Sequence, residues 1–162
     1  MILVERSGVP HQTKILGVFV FPSVGPFVAD VVAPTLSSMD PADNATSVSV
    51  LTILVMVFSE PIFAGTGNIL IKKTTGDATA QTISVTGGQV SITDQTATIT
   101  LNQALDYSTG YYVTIASGVF TDLALNAYAG ISTKTVWNFT TAAPPTDSPR
   151  TQTTNIRVGI GF

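Results

Sequence analysis

The chain has 162 residues, 44% of them apolar and only 10% Asp, Glu, Lys or Arg, with a formal net charge of −3; an ordinary soluble domain carries about 25% charged residues. That balance excludes nucleic-acid binding through a basic field. Cysteine is absent, which removes disulfides, thiolate metal sites and Cys nucleophiles, and a single histidine, His11, all but removes Ser-His-Asp chemistry and poly-His metal sites.

In chain order, the first segment is an N-terminal arm, residues 1–33. Strand-like pieces are expected at 1–4, 14–21 and 27–32, broken at 8–10 and 22–26 by Pro10, Pro22 and Pro26. Leu16, Val18 and Val20 fall on one face of the second piece. The apolar stretches 15–21 and 50–58 are both shorter than the roughly 18–20 residues a membrane helix needs, so no membrane span is expected. Lys14 followed by 15–21 resembles a short signal-peptide core. Glu5 and Arg6 leave no basic start, however, and Pro34 follows the best small-residue cleavage position, Ala33. The expectation is an unprocessed Met1: a cytosolic protein, or one that leaves the cell without the secretory route, as virion proteins released by lysis do.

The second segment, 34–142, reads as a compact core. Strands are expected at 35–39, 50–58, 68–73, 81–85, 89–93, 96–101, 111–115 and 135–141. The separators include Asp40-Pro41-Ala42-Asp43-Asn44, a hairpin at Gly87-Gly88 and a tight turn at Asp94-Gln95. Both faces of 50–58 are partly apolar, which places it centrally or under an arm. Threonine is β-branched yet polar, so it suits the solvent face of a strand and keeps a charge-poor chain soluble. Seven to eight strands in about 110 residues is the count of an all-β, immunoglobulin-like β-sandwich. Tyr111, Val113, Ile115, Trp137 and Phe139 alternate so as to face inward. Tyr111 opens its strand just after a turn, where its hydroxyl can meet a backbone group, like the tyrosine corner of such sandwiches.

The third segment, 143–162, is a Pro/Thr-rich linker to about 154, followed by a C-terminal strand. Ile156, Val158, Ile160 and Phe162 fall on one face of that strand, and Asn155, Arg157, Gly159 and Gly161 on the other.

Five stretches of the core resemble a known family. They are Pro34 through Ala45 with Asp40-Pro41-Ala42-Asp43-Asn44; Val57-Phe58-Ser59-Glu60-Pro61-Ile62; Leu105 through Val113; Gly118-Val119-Phe120-Thr121-Asp122 through Asn126; and Trp137-Asn138-Phe139-Thr140-Thr141. Together they are similar to the bacterial Ig-like domain of S-layer proteins and adhesins. The resemblance covers about two-thirds of the chain and implies the fold; it does not fix an activity. Asn44 and Leu125 stand where the family has turn glycines, so those turns are expected to differ. The arm and the tail lie outside it.

Sandwich topology brings the loops around Glu60 and around Asp122 and Asn126 to one end, with Asp106 nearer the other. Glu60, Asp122 and Asn126 with loop carbonyls form a candidate Ca²⁺ site, since Ca²⁺ takes six to eight oxygens. The competing reading is that these side chains only cap turns. No other cofactor is expected. Lys72 and Lys73 read as solvated or edge-guarding. Tyr128 is the candidate for an exposed contact with a glycan or receptor. No phosphate loop or nucleophile elbow occurs and the acids are scattered singly, so the chain is read as not an enzyme.

Apolar extensions left alone in water are an aggregation hazard. They are therefore expected to add to sheet edges of neighbouring subunits, with Leu16, Val18, Val20, Ile156, Val158, Ile160 and Phe162 as the assembly interface; folding back on their own sandwich is the other course. The reading is a structural subunit of a virion or cell-surface assembly, homo-oligomeric or with other structural subunits, with an adhesive or carbohydrate-binding module as the alternative.

Overall fold

The structure is a computed structural model and describes residues 28–146. Every strand lies in one of two facing sheets or in a small ribbon at one end. The first sheet has the order β1 (Leu36–Asp40), β3 (Ile53–Phe58), β8 (Thr96–Thr100) and β7 (Val90–Thr93). The second has the order β2 (Ala45–Val48), β11 (Asn138–Thr141), β9 (Gly110–Ile115), β5 (Asn68–Lys73) and β6 (Thr79–Ser84). The ribbon pairs β4 (Phe63–Ala64) with β10 (Phe120–Thr121). Pairing is antiparallel except between β2 and β11, which run parallel. This is the expected all-β, immunoglobulin-like sandwich. No helix among the described residues is long and apolar enough to cross a membrane.

Period-two patterning makes the core. Along β3, Leu54, Met56 and Phe58 are buried while Ile53, Val55 and Val57 face outward. They meet Ile69, Ile71, Tyr111, Val113, Trp137 and Phe139 of the other sheet, across the roughly 10 Å that separates packed sheets. Each fully buried large apolar side chain contributes about 1.5–3 kcal/mol. Trp137 is the largest of them, and its indole N–H is satisfied by the Pro41 carbonyl at 2.7 Å.

Among the described residues, eight of the eleven strands fall where the sequence places them. Of the other three, β4 and β10 are only two residues long, and β2, Ala-Thr-Ser-Val, sets two polar residues between its apolar ends and so does not alternate. Strand 50–58 starts only at Ile53, because Ser49 holds a turn through Leu51 N–H to Ser49 Oγ and Thr52 N–H to Ser49 O. Strand 135–141 starts only at Asn138, after a turn closed by Val136 N–H to Thr133 O. Gly87-Gly88 is not a hairpin: β6 and β7 lie in different sheets, and the turn carries the chain across the sandwich. The piece expected at 27–32 has no ladder over residues 28–32, because the Asp30 and Val32 carbonyls are taken by the Asn126 side chain. His11, Leu16, Val18, Val20, Ile156, Val158, Ile160 and Phe162 lie outside the described residues.

Asn44 and Leu125 do not change their turns. Both hold the left-handed conformation a glycine would take, with φ of 61° and 68°. Gly130 shows why that conformation is needed nearby: its φ is +85°, and a side chain there would strike the Ile115 carbonyl.

The chain enters and leaves at opposite ends. Thr35 meets Ser59 just beyond β3, and residues 28–35 lie beside the 59–67 and 116–134 loops. Ala142 lies with Val48 and Ser108 at the far end. The first end is the entry pole and the second the exit pole.

Candidate functional site

The entry pole brings three carboxylates together, those of Asp30, Glu60 and Asp122. Thr121 pairs with Phe63, which ties the two loops together and sets Asp122 beside Glu60. The segment 122–126 then closes on itself. The Asp122 N–H donates to the Asn126 carbonyl, and the Asn126 N–H donates to Asp122 Oδ1 at 2.8 Å. The Asn126 side-chain amide donates to Asp122 Oδ2 at 2.7 Å and to the carbonyls of Asp30 and Val32 at 3.1 and 3.2 Å. All three partners are acceptors, so the amide nitrogen must face them.

Asn126 is therefore a clasp that pins the entering chain to the loop, and the nitrogen it turns inward cannot ligate a cation. The third carboxylate is Asp30. One oxygen each from Asp30, Glu60 and Asp122 lies within 4.8 Å of the others. Asp122 is only 3% exposed. The three described lysines are engaged elsewhere: Lys73 with Asp106 at 2.7 Å, Lys134 with Asp77 at 3.2 Å, and Lys72 over the Tyr112 ring. The Glu60 carboxyl is accordingly held above its ordinary pKa, first by partial loss of water and then by the negative charges of Asp122 and Asp30.

Two ligands of one Ca²⁺, each about 2.4 Å from it, lie at most about 4.8 Å apart. The carboxylate trio meets that limit. Asp30, Glu60 and Asp122 would be the protein ligands, and the Asp30 and Val32 carbonyls are already committed to Asn126. Asp30 escapes a sequence reading because it stands alone ahead of the first strand. Only the folded topology brings it under the 116–134 loop.

Tyr128 is not an exposed contact residue. It is 5% exposed and packs edge-on against Phe58 at 5.1 Å. Its N–H pairs back to Phe120 O, turning the ring into the core, and burial raises the pKa of its phenol. Lys72 and Lys73 do not guard an edge, since β5 lies inside its sheet.

A family model described as a bacterial Ig-like domain matches residues 30–141. Among solved structures the chain is similar to CopC from Methylosinus trichosporium OB3b, with 13% identity, a TM-score of 0.49, and coverage of 70% of this chain and 97% of that one. It is also similar to the S-layer protein rSbsC(31-844), with 19% identity, a TM-score of 0.44, and coverage of 70% of this chain and 14% of that one. No curated protein matches the sequence.

Proposed function

The chain belongs to the bacterial Ig-like domain family, and from that premise we propose that it is a non-catalytic structural module of an extracellular or cell-surface assembly. The finer reading is a virion component, a capsid decoration, neck or tail protein of a phage, whose arm and tail clasp neighbouring subunits by β-augmentation. The observation that carries it is the separation of the points at which the described chain enters and leaves the sandwich. In sequence, 27 residues precede and 16 follow a described chain that enters the sandwich at one pole and leaves it at the other. Such a module joins neighbours on both sides.

Charge supports the same reading. Residues 28–146 hold eight Asp or Glu against three Lys, a formal −5, while the remaining residues hold two acids against four Lys or Arg, a formal +2. Extensions and sandwich are thus complementary. Ca²⁺ at Asp30, Glu60 and Asp122 is the cofactor of this reading, fixing the entering chain. A glycan-binding module is less favoured, because Tyr128 is buried.

Sedimentation and electron microscopy of the purified full chain test it. A ring, tube or filament is expected, and deletion of residues 155–162 should disperse it while the sandwich stays folded. A discrete monomer that binds glycans would establish the adhesive module instead.

A further inference from the structure

At the entry pole a groove of about 610 Å³ opens between β7 and the 59–67 loop, lined mainly by Ile62, Phe63, Val85, Val90 and Ile92, with Asp94 at its rim. Among the described residues strand β7 is the edge of its sheet, and an edge presents a row of backbone groups on which another strand can pair. Thr121, the strand partner of Phe63, leads into a loop that carries two exposed leucines. Phe63, Leu123 and Leu125 are 47%, 82% and 79% exposed. Leu125 is the telling residue. It occupies a left-handed position at φ 68°, which costs a non-glycine residue about 1–2 kcal/mol, yet it buries almost nothing in return. Strain held at an exposed apolar side chain points to a contact outside the described residues.

We propose that this groove and the adjoining Leu123–Leu125 surface are the docking site for residues 155–162 of a second copy of the chain. The proposal rests on the reading of the extensions as assembly elements and names the site they occupy. The groove offers apolar surface to one side of a strand and water to the other. Residues 155–162 match that demand, with Ile156, Val158, Ile160 and Phe162 alternating with Asn155, Arg157, Gly159 and Gly161. Residues 14–21 are apolar on both sides and match it less well. Asp30, Glu60, Asp94 and Asp122 make the entry pole acidic, and the tail brings Arg150 and Arg157.

Direction decides which copy is bound. The described chain leaves at the exit pole, and 16 further residues reach at most about 58 Å. To fill its own groove, the tail would have to run back the length of the sandwich and round a sheet edge. A copy stacked entry pole to exit pole presents the groove beside the departing chain. That contact is head-to-tail, so repetition yields a ring or a filament.

The absence of cysteine makes the test clean. Full-length chains carrying Phe63→Cys are mixed with full-length chains carrying Ile160→Cys under mild oxidation. A disulfide-linked dimer is expected, at a yield about tenfold or more above that from Leu51→Cys, at the opposite pole, with Ile160→Cys. Leu125→Gly should weaken self-association while raising thermal stability, a pairing that a merely structural role does not produce. Equal cross-linking at positions 51 and 63, cross-linking only within a doubly substituted chain, or preferential cross-linking of position 63 to Val18→Cys would each overturn the proposal. If the unsubstituted chain assembles and the 63–160 link still fails, the docking site alone is wrong. If the chain is monomeric, the assembly reading falls with it.

Discussion

The Asp106 backbone N–H donates to the Tyr111 hydroxyl at 3.0 Å. Tyr111 is 1% exposed, so the bond joins the buried start of β9 to the loop that precedes it, closing the tyrosine corner. The same loop is held by Lys73 on Asp106 and by the Thr141 hydroxyl donating to the Asp106 carbonyl at 2.6 Å. Tyr111→Phe leaves the packing intact and removes the acceptor of the Asp106 N–H. A loss of about 0.5–1.5 kcal/mol is expected in urea unfolding, since Asp106 is exposed and water can take up its N–H. An unchanged midpoint would show that the corner contributes nothing.

Asp43 does comparable work at the other seam. Its Oδ1 accepts from both the backbone N–H and the side-chain amide of Asn138, each at 2.9 Å, beside the Trp137 indole bond to Pro41. Asp43→Ala should destabilise by about 1–3 kcal/mol. Combining it with Asn138→Ala should cost less than the sum of the two single changes, because they share the bonds. Strict additivity in a double-mutant cycle would refute that coupling.

Leu125→Gly is expected to raise unfolding stability by up to about 1 kcal/mol, since relief of left-handed strain outweighs the added freedom of the unfolded chain. Thermal unfolding of the two full-length proteins under dispersing conditions measures it. A lower melting temperature for the glycine variant would mean that Leu125 packs usefully within its own subunit.

Calcium and protons should act in opposition at Glu60. A carboxyl whose folded-state pKa is raised contributes stability that is fully present below its unfolded pKa and lost as pH rises through the folded value. Without divalent cations, Glu60→Gln should therefore stabilise the chain at pH 7, with the difference shrinking toward pH 4. Added Ca²⁺ should raise the melting temperature of the unsubstituted chain, and Glu60→Ala should abolish the rise. No shift with Ca²⁺ would leave the trio as turn caps.

Asp77 and Asp106 titrate the other way. Hydrogen bonds from the Tyr112 hydroxyl and then Lys134 hold Asp77 below its ordinary pKa, and Lys73 does the same for Asp106. Their contribution is present above the unfolded pKa and lost as pH falls through the folded one. Tyr112→Phe should therefore flatten the acid limb of a stability–pH curve below about pH 4; an unaltered limb would contradict the assignment.

The alternation of Leu54, Met56 and Phe58, and of Tyr111, Val113 and Ile115, made the sandwich readable, because a half-buried strand writes its inward face into every second residue. The strand ends were not readable where side chains compete with the ladder, as Ser49 does ahead of β3. Glu60 and Asp122 could be placed together because topology fixes which loops share a pole. Asp30 could not, since its partners are 30 and more residues away in sequence. Tyr128 was misplaced for a related reason. It lies in a loop by sequence, yet the bond to Phe120 O gives it the inward orientation of a strand residue.

The parallel pairing of β2 with β11 bears on how the module responds to tension. A pull entering at residue 28 and leaving at residue 146 runs along these strands, across the Asn44 N–H to Asn138 O and Ala142 N–H to Val48 O bonds. Those bonds then share the load side by side and break together, where a hairpin pulled from its open end would unzip one bond at a time. Stretched between its termini, the sandwich should give way in a single abrupt event, and Asp43→Ala should lower the force of that event more than it lowers equilibrium stability.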